Sequence, residues 1–272
     1  MIRDITLGQY FPGNSFLHRL DPRVKIILTF VYIVFIFIAT NFSGLLIVVG
    51  LVLGTLLLSG VPVSQYLKSL KGILLVIVFT SLLNLFYGGG PVVWKLGFVT
   101  ITQGGIINCV FIAIRIVSLI LFSSVLTFTT SPTELTDALE RIMKPLKVFR
   151  VIPVHEIAMM MTIALRFVPT LLEETDKIMS AQKARGADME SGGLMQRIRA
   201  LIPVLIPLFV SSFRRAYDLA MAMECRCYHG GEGRTKMKIL HMTGLDTVAI
   251  AITIVVCAGV VLCTAFLPTA FV

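Results

Sequence analysis

The chain has 272 residues, 56% of them hydrophobic and 14% charged, with a net charge of +9. Soluble domains carry about a quarter charged residues, so an ordinary soluble domain is excluded and several membrane spans are implied. The five cysteines, Cys109, Cys225, Cys227, Cys257 and Cys263, contain no C-x-x-C pair, which argues against a disulfide framework or a zinc site.

Residues 1–25 are polar and basic, and no small-residue cleavage site follows the first apolar run. That run is therefore expected to stay as a span rather than leave as a signal peptide. No charge occurs from Ile26 to Leu67, too long a stretch for one crossing. The turn signal Asn41-Phe42-Ser43-Gly44 divides it into spans at 24–40 and 44–60. A third span is read at 72–87, ending on Gly88-Gly89-Gly90-Pro91. A fourth is read at 105–128 with Arg115 near its middle, and the last at 245–267. Each is near the roughly 20 residues a crossing helix needs.

The charges alternate with these spans. Arg3, Arg19, Arg23 and Lys25 precede the first, Lys68 and Lys71 follow the second, and Lys95 alone follows the third. Sixteen Lys and Arg residues separate the fourth span from the last, and none follows it. By the positive-inside rule the N-terminus and the 131–244 block are cytoplasmic, and the C-terminus lies outside. The organisation is then 1–130, a four-span membrane region; 131–244, a cytoplasmic module; and 245–272, a C-terminal span.

The 131–244 block carries sixteen basic and twelve acidic residues and eleven of the twelve methionines. It reads as too charged for further spans and too apolar for a disordered loop, which leaves amphipathic helices. Ser131-Pro132 opens one helix at about 133–143, closed by Pro145. A second is read at 154–183. Ile157, Met161, Ala164, Val168, Leu172, Thr175 and Met179 form its apolar stripe, Pro169 is expected to kink it and Gly186 to stop it. A third, at 194–228, contains Pro203 and Pro207 and is expected to break into two helices there.

Two of these helices end on an arginine between small residues: Ala184-Arg185-Gly186 and Cys225-Arg226-Cys227. Small neighbours leave an arginine free to enter a groove on a partner, where its planar fork matches carboxylates and carbonyls. The plainer reading is two arginines completing helix C-termini. The methionines Met159, Met160, Met161, Met179, Met221 and Met223 fit either an adaptable binding surface or a helical core. Arg115 is a functional candidate by its depth, or else holds spans together through a carbonyl or an ion pair. The histidines His18, His155, His229 and His241 are dispersed, and no catalytic or phosphate-loop motif is present. The glycine-rich run 230–234 reads as a turn. Binding and transmission, not catalysis, is the expectation.

Three segments together resemble the transmembrane T component of energy-coupling factor (ECF) transporters. They are Gly8-Gln9-Tyr10 with Ser15 and His18-Arg19-Leu20-Asp21-Pro22-Arg23-Val24-Lys25; Ala164-Leu165-Arg166-Phe167-Val168-Pro169 through Ala184-Arg185-Gly186; and Ala222-Met223-Glu224-Cys225-Arg226-Cys227-Tyr228. With the span layout the resemblance covers nearly the whole chain. The departure is cysteine on both sides of Arg226, where the family has alanine and glycine.

The resemblance implies an all-α polytopic membrane protein with about five transmembrane helices plus a module of long coupling helices, in a prokaryotic plasma membrane. It implies two cytoplasmic ABC ATPase subunits and a small membrane S component as partners. The ATPases would dock at Ala184, Arg185, Gly186, Cys225, Arg226 and Cys227. The S component would rest on Ile157, Met161, Val168, Leu172 and Met179. The chain itself would bind no cofactor or metal, with ATP and Mg on the ATPases, and would import vitamins or micronutrients for several S components. A T component dedicated to biotin or cobalt is the alternative within the class, and a membrane-embedded enzyme the alternative outside it. A nucleic-acid partner is disfavoured by the near balance of charge in the 131–244 block.

Overall fold

The structure, a computed structural model, describes residues 10–86, 89, 91–96, 99–145, 153–187, 193–230 and 240–266. Gly8 and Gln9 of the N-terminal segment, Tyr87, Gly88 and Gly90 after the third span, the run 231–234, and Leu267 lie outside the described residues. Among the described residues the fold is helical, with one short antiparallel ribbon. It packs as two compact units, one formed by residues 8–138 with 238–272 and the other centred on 139–237.

In the first unit, α1 (Phe16–Arg19) leads into α2 (Pro22–Ile38), α3 (Phe42–Ser59), α4 (Val63–Leu85), α5 (Gln103–Thr129) and α9 (Gly244–Phe266). Asp21 caps α2 by accepting the Arg23 backbone N–H, and Pro22 takes the first helical position, where its missing donor costs nothing. The α2–α3 corner falls on the turn read at residues 41–44. Asn41, 1% exposed, donates from Nδ2 to the Cys263 carbonyl at 2.9 Å, so the start of α3 meets the end of α9. Tyr32, Ile36, Ala39, Val48, Val52 and Val260 form one buried cluster and Val61, Tyr66, Val125 and Phe128 another, with Tyr32 stacked on Phe122 at 3.9 Å. Leu57 and Leu75, 85% and 78% exposed, point outward, as lipid-facing residues of a span do.

The structure differs from the sequence reading in three places here. Helix α4 begins at Val63, so Lys68 and Lys71 belong to its first turns and not to a loop. Long lysine stems allow this, because the ammonium reaches the interface while the methylenes lie along the helix. Between α4 and α5 stand β1 (Val92–Leu96) and β2 (Val99–Thr102), paired antiparallel with Lys95 opposite Thr100. Among the described residues six helices are long and apolar enough to cross a membrane: α3, α4, α5, α9 and also α7 (Val154–Ala184) and α8 (Leu194–Cys225). Within residues 131–244, α7 and α8 each hold a long window with few charges, so by length and composition these two helices could span although the block as a whole reads as too charged. At 17 residues, α2 is slightly shorter.

Arg115 donates from Nη2 to the Ala39 carbonyl at 2.6 Å and lies 4.8 Å from the Phe111 ring centroid. Ala39 caps α2, so this arginine ties α5 to the end of α2. That is the structural alternative of the two read from the sequence.

The second unit contains α7 and α8, with the end of α6 (Pro132–Met143). Helix α8 runs unbroken through Pro203 and Pro207, contrary to the expected break. Proline at 207 removes the N–H that would bond the Pro203 carbonyl four residues earlier. Gln182 of α7 donates its Nε2 to that carbonyl instead, at 3.3 Å. Helix α7 likewise continues through Pro169.

Candidate functional site

Helices α7 and α8 pack antiparallel. Gln182 meets Pro203 and, eight residues back along α7, Glu174 meets Arg215 with Oε2 to Nη2 at 2.7 Å. Their C-termini therefore lie at opposite ends of the pair. From Pro203 to Arg226 is 23 residues (226 − 203) of α8 and its cap. At about 1.5 Å per residue the two tips are separated by roughly 35 Å.

The tips share one geometry. At the first, the Gly186 N–H donates to the Lys183 carbonyl at 3.0 Å and the Ala187 N–H to the Gln182 carbonyl at 3.0 Å. At the second, the Cys227 N–H donates to the Glu224 carbonyl at 2.9 Å and the Tyr228 N–H to the Met223 carbonyl at 3.0 Å. Both are Schellman turns, which satisfy carbonyls the helix leaves open and reverse the chain sharply. In each the arginine is the last residue of the helical turn, and Ala184, Arg185, Gly186, Cys225, Arg226 and Cys227 are all exposed. The capping bonds are made by backbone, so neither guanidinium is needed to complete its helix.

The residue after each arginine must be left-handed. Gly186 adopts φ +86° without steric penalty, while Cys227 adopts φ +54°, a region that costs a residue with a side chain roughly 1–2 kcal/mol. Small size alone therefore does not make cysteine equivalent to glycine here. Cys227→Gly is expected to stabilise the second turn by about 1 kcal/mol. Hydrogen exchange at the Cys227 and Tyr228 amides should slow about fivefold, and unchanged exchange would show that the turn carries no strain.

The apolar stripe read on α7 is partly covered: Ile157, Val168, Leu172, Thr175 and Met179 are half-buried, while Met161 and Ala164 are exposed. The wide apolar face lies on α8, where Ile198, Ile202, Leu205, Phe209, Phe213, Tyr217 and Met221 recur at three- and four-residue steps and are 44–69% exposed. The sequence reading expected a counterpart stripe on this stretch and named Met221, but not the other six residues, although their spacing carries the helical signal. His155, one of the histidines read as dispersed, is paired with Glu140, with Nδ1 3.2 Å from Oε1.

At the N-terminal segment the structure brings together residues far apart in sequence. Asp21 receives Arg23 through Nε and Nη2, the latter at 2.6 Å, and Arg23 also donates to the Leu240 carbonyl at 3.1 Å. The Asp21 N–H donates to Asp246 Oδ1 at 2.8 Å, and Asp246 Oδ2 accepts the Thr243 N–H and hydroxyl. Lys25 donates to the Thr129 carbonyl at 2.9 Å. The starts of α2 and α9 and the end of α5 are thus joined, so the chain leaves the first unit and returns to it at one end.

Comparison with known proteins adds the decisive observation. A family model described as cobalt transport protein matches residues 13–237. The energy-coupling factor transporter transmembrane protein EcfT of Ruminiclostridium cellulolyticum is 54% identical over 262 residues, covering 96% of this chain and 98% of that protein. EcfT of Clostridium kluyveri is 51% identical over 269 residues, with 98% and 97% covered. EcfT of Bacillus subtilis is 47% identical over 259 residues, with 95% and 97% covered. The chain belongs to the EcfT family. It is a transmembrane component of an ECF transporter. As an EcfT-family protein it carries the N-terminal segment as a junction of helix ends and the two arginine segments as matched helix tips.

Proposed function

We propose that this EcfT-family chain is the coupling scaffold of an ECF-type importer, joining two cytoplasmic ATPases to a small membrane S component. The observation that carries the reading is the pair of like-built, exposed arginine tips roughly 35 Å apart at the two ends of one helix pair. Two matched tips suit two similar grooves, one on each member of an ATPase pair. The basic residues Arg19, Arg23, Lys25, Lys68 and Lys71 gather where α2 begins, which supports a cytoplasmic placement of that end in a cell membrane. ATP and Mg belong to the partners in this reading, and the chain transmits their closure without catalysing a reaction.

The S component rests on the exposed face of α8, with Ile157, Met161, Val168, Leu172 and Met179 of α7 beside it. Methionines on these helices, with Met160 and Met221 well exposed, support a surface shared by several S components, since methionine adapts to different partners. Phe209→Asp combined with Phe213→Asp is expected to weaken S-component recovery about 30-fold, as interface aromatics often contribute 2 kcal/mol or more. ATPase recovery should stay at the wild-type level. Co-purification of both partner types with the double variant checks this, and loss of the ATPases as well would contradict the assignment of separate surfaces.

A further inference from the structure

A cavity of about 250 Å³ lies within the membrane unit among α1, α2, α3, α5 and α9. Its wall is apolar, with Leu51, Phe122 and Leu126 prominent, and Lys25 and Thr129 line it where α2 begins and α5 ends. Gly50 and Gly54 form part of its α3 side, and a Cβ built on either would meet no atom within 4 Å. Leu58 and Ile252, also in the lining, are 56% and 51% exposed, so the cavity communicates with the lipid-facing surface.

The charge around it is uneven. Lys25 is 7% exposed, and its ammonium donates to neutral oxygens, the Thr129 carbonyl at 2.9 Å, the Thr130 hydroxyl at 3.4 Å and the His18 carbonyl at 3.5 Å, with the carboxylates of Glu134, Asp246 and Asp21 near enough to attract its charge without bonding it. Asp21 is already engaged by Arg23, and Asp246 by three donors. The exposed Arg19 and the lysines Lys68 and Lys71 of α4 stand at the same end. An apolar slot open to lipid beneath a basic rim matches an amphiphile with a negative head.

We infer that this cavity holds one acyl chain of an anionic phospholipid, with the headgroup drawn to the Arg19–Lys25 rim. The site differs from the docking tips and from the α8 face, so it stands or falls independently of them. The bound chain fills the space left by Gly50 and Gly54 and wedges α3 against α5 and α9.

The test uses the full-length chain in vesicles containing a phosphatidylglycerol or a phosphatidylcholine that bears a photoactivatable group in its acyl chain. Cross-linked residues are located by mass spectrometry. The phosphatidylglycerol probe should label residues 50–58 and 122–129 roughly tenfold more than the phosphatidylcholine probe, given the attraction of basic residues for anionic lipid. Gly54→Leu, which enters open space, should remove that labelling, whereas Gly72→Leu on the open face of α4 should leave it intact. Gly50→Leu fills the same space and replaces Gly54→Leu if that variant does not fold. Equal labelling by the two probes, labelling that survives filling of the slot, or absence of label from the lining would each overturn the inference.

Discussion

Arg185→Glu combined with Arg226→Glu is expected to leave the chain in the membrane and to abolish recovery of the proposed ATPase partners. Each guanidinium is exposed in the isolated chain and is not needed for its own helix cap, so reversal spares the fold. Docked in a groove, each would exchange charge-assisted hydrogen bonds for repulsion. Truncating one partner of a buried, hydrogen-bonded charge pair costs about 2–5 kcal/mol, and reversal at both tips exceeds that. Co-purification should therefore fall at least 100-fold and ATP-driven uptake should be lost. Arg→Lys at either tip should retain partial binding, because the charge stays while the planar fork is lost. Wild-type recovery of ATPases with the doubly reversed chain would remove the arginines from the docking account.

Asp246→Ala is expected to have the largest effect on stability. Its carboxylate is 1% exposed and accepts from the Asp21 N–H, the Thr243 N–H and the Thr243 hydroxyl. Removing it strands these donors beside Arg23 and Lys25. Breaking a buried charged network by deleting one member costs about 3–5 kcal/mol. For a two-unit membrane protein the practical readout is a thermal midpoint in a defined detergent, lowered by roughly 10 °C if the scaling of soluble domains applies. Asp246→Asn keeps an acceptor oxygen and should lose about half as much. A midpoint unchanged by Asp246→Ala would mean that the junction of α2, α5 and α9 does not hold the first unit together.

Much of this fold is written locally. The uncharged stretch with its turn at residues 41–44, the start of α6 at Pro132 and the long helix ending before Gly186 follow from periodicity, caps and breakers, all signals within a few residues. What was missed depends on partners distant in sequence. Proline at 203 and 207 disrupts an isolated helix, but α8 continues because Gln182, on another helix, supplies a donor to the freed Pro203 carbonyl. Asp246 sits 225 residues from Asp21, and no spacing rule links them. The ribbon at 92–102 consists of strands of five and four residues, too short to stand out between two spans.

The two helix tips were legible in outline. Arginine between small residues marked both tips, yet the reason for the smallness is conformational as much as steric, and that appeared only with the positive φ at Gly186 and Cys227. The apolar face of α8 carried its signal openly. The prolines drew attention to a break and away from the stripe that runs through them.

The most direct measurement is affinity purification of the wild-type chain from native membranes, with every co-purifying protein identified. The account predicts two ATP-binding subunits together with a varying set of small membrane proteins, all in complexes holding this chain. Recovery of the chain without ATP-binding partners from membranes that contain them would contradict its role as a coupling scaffold.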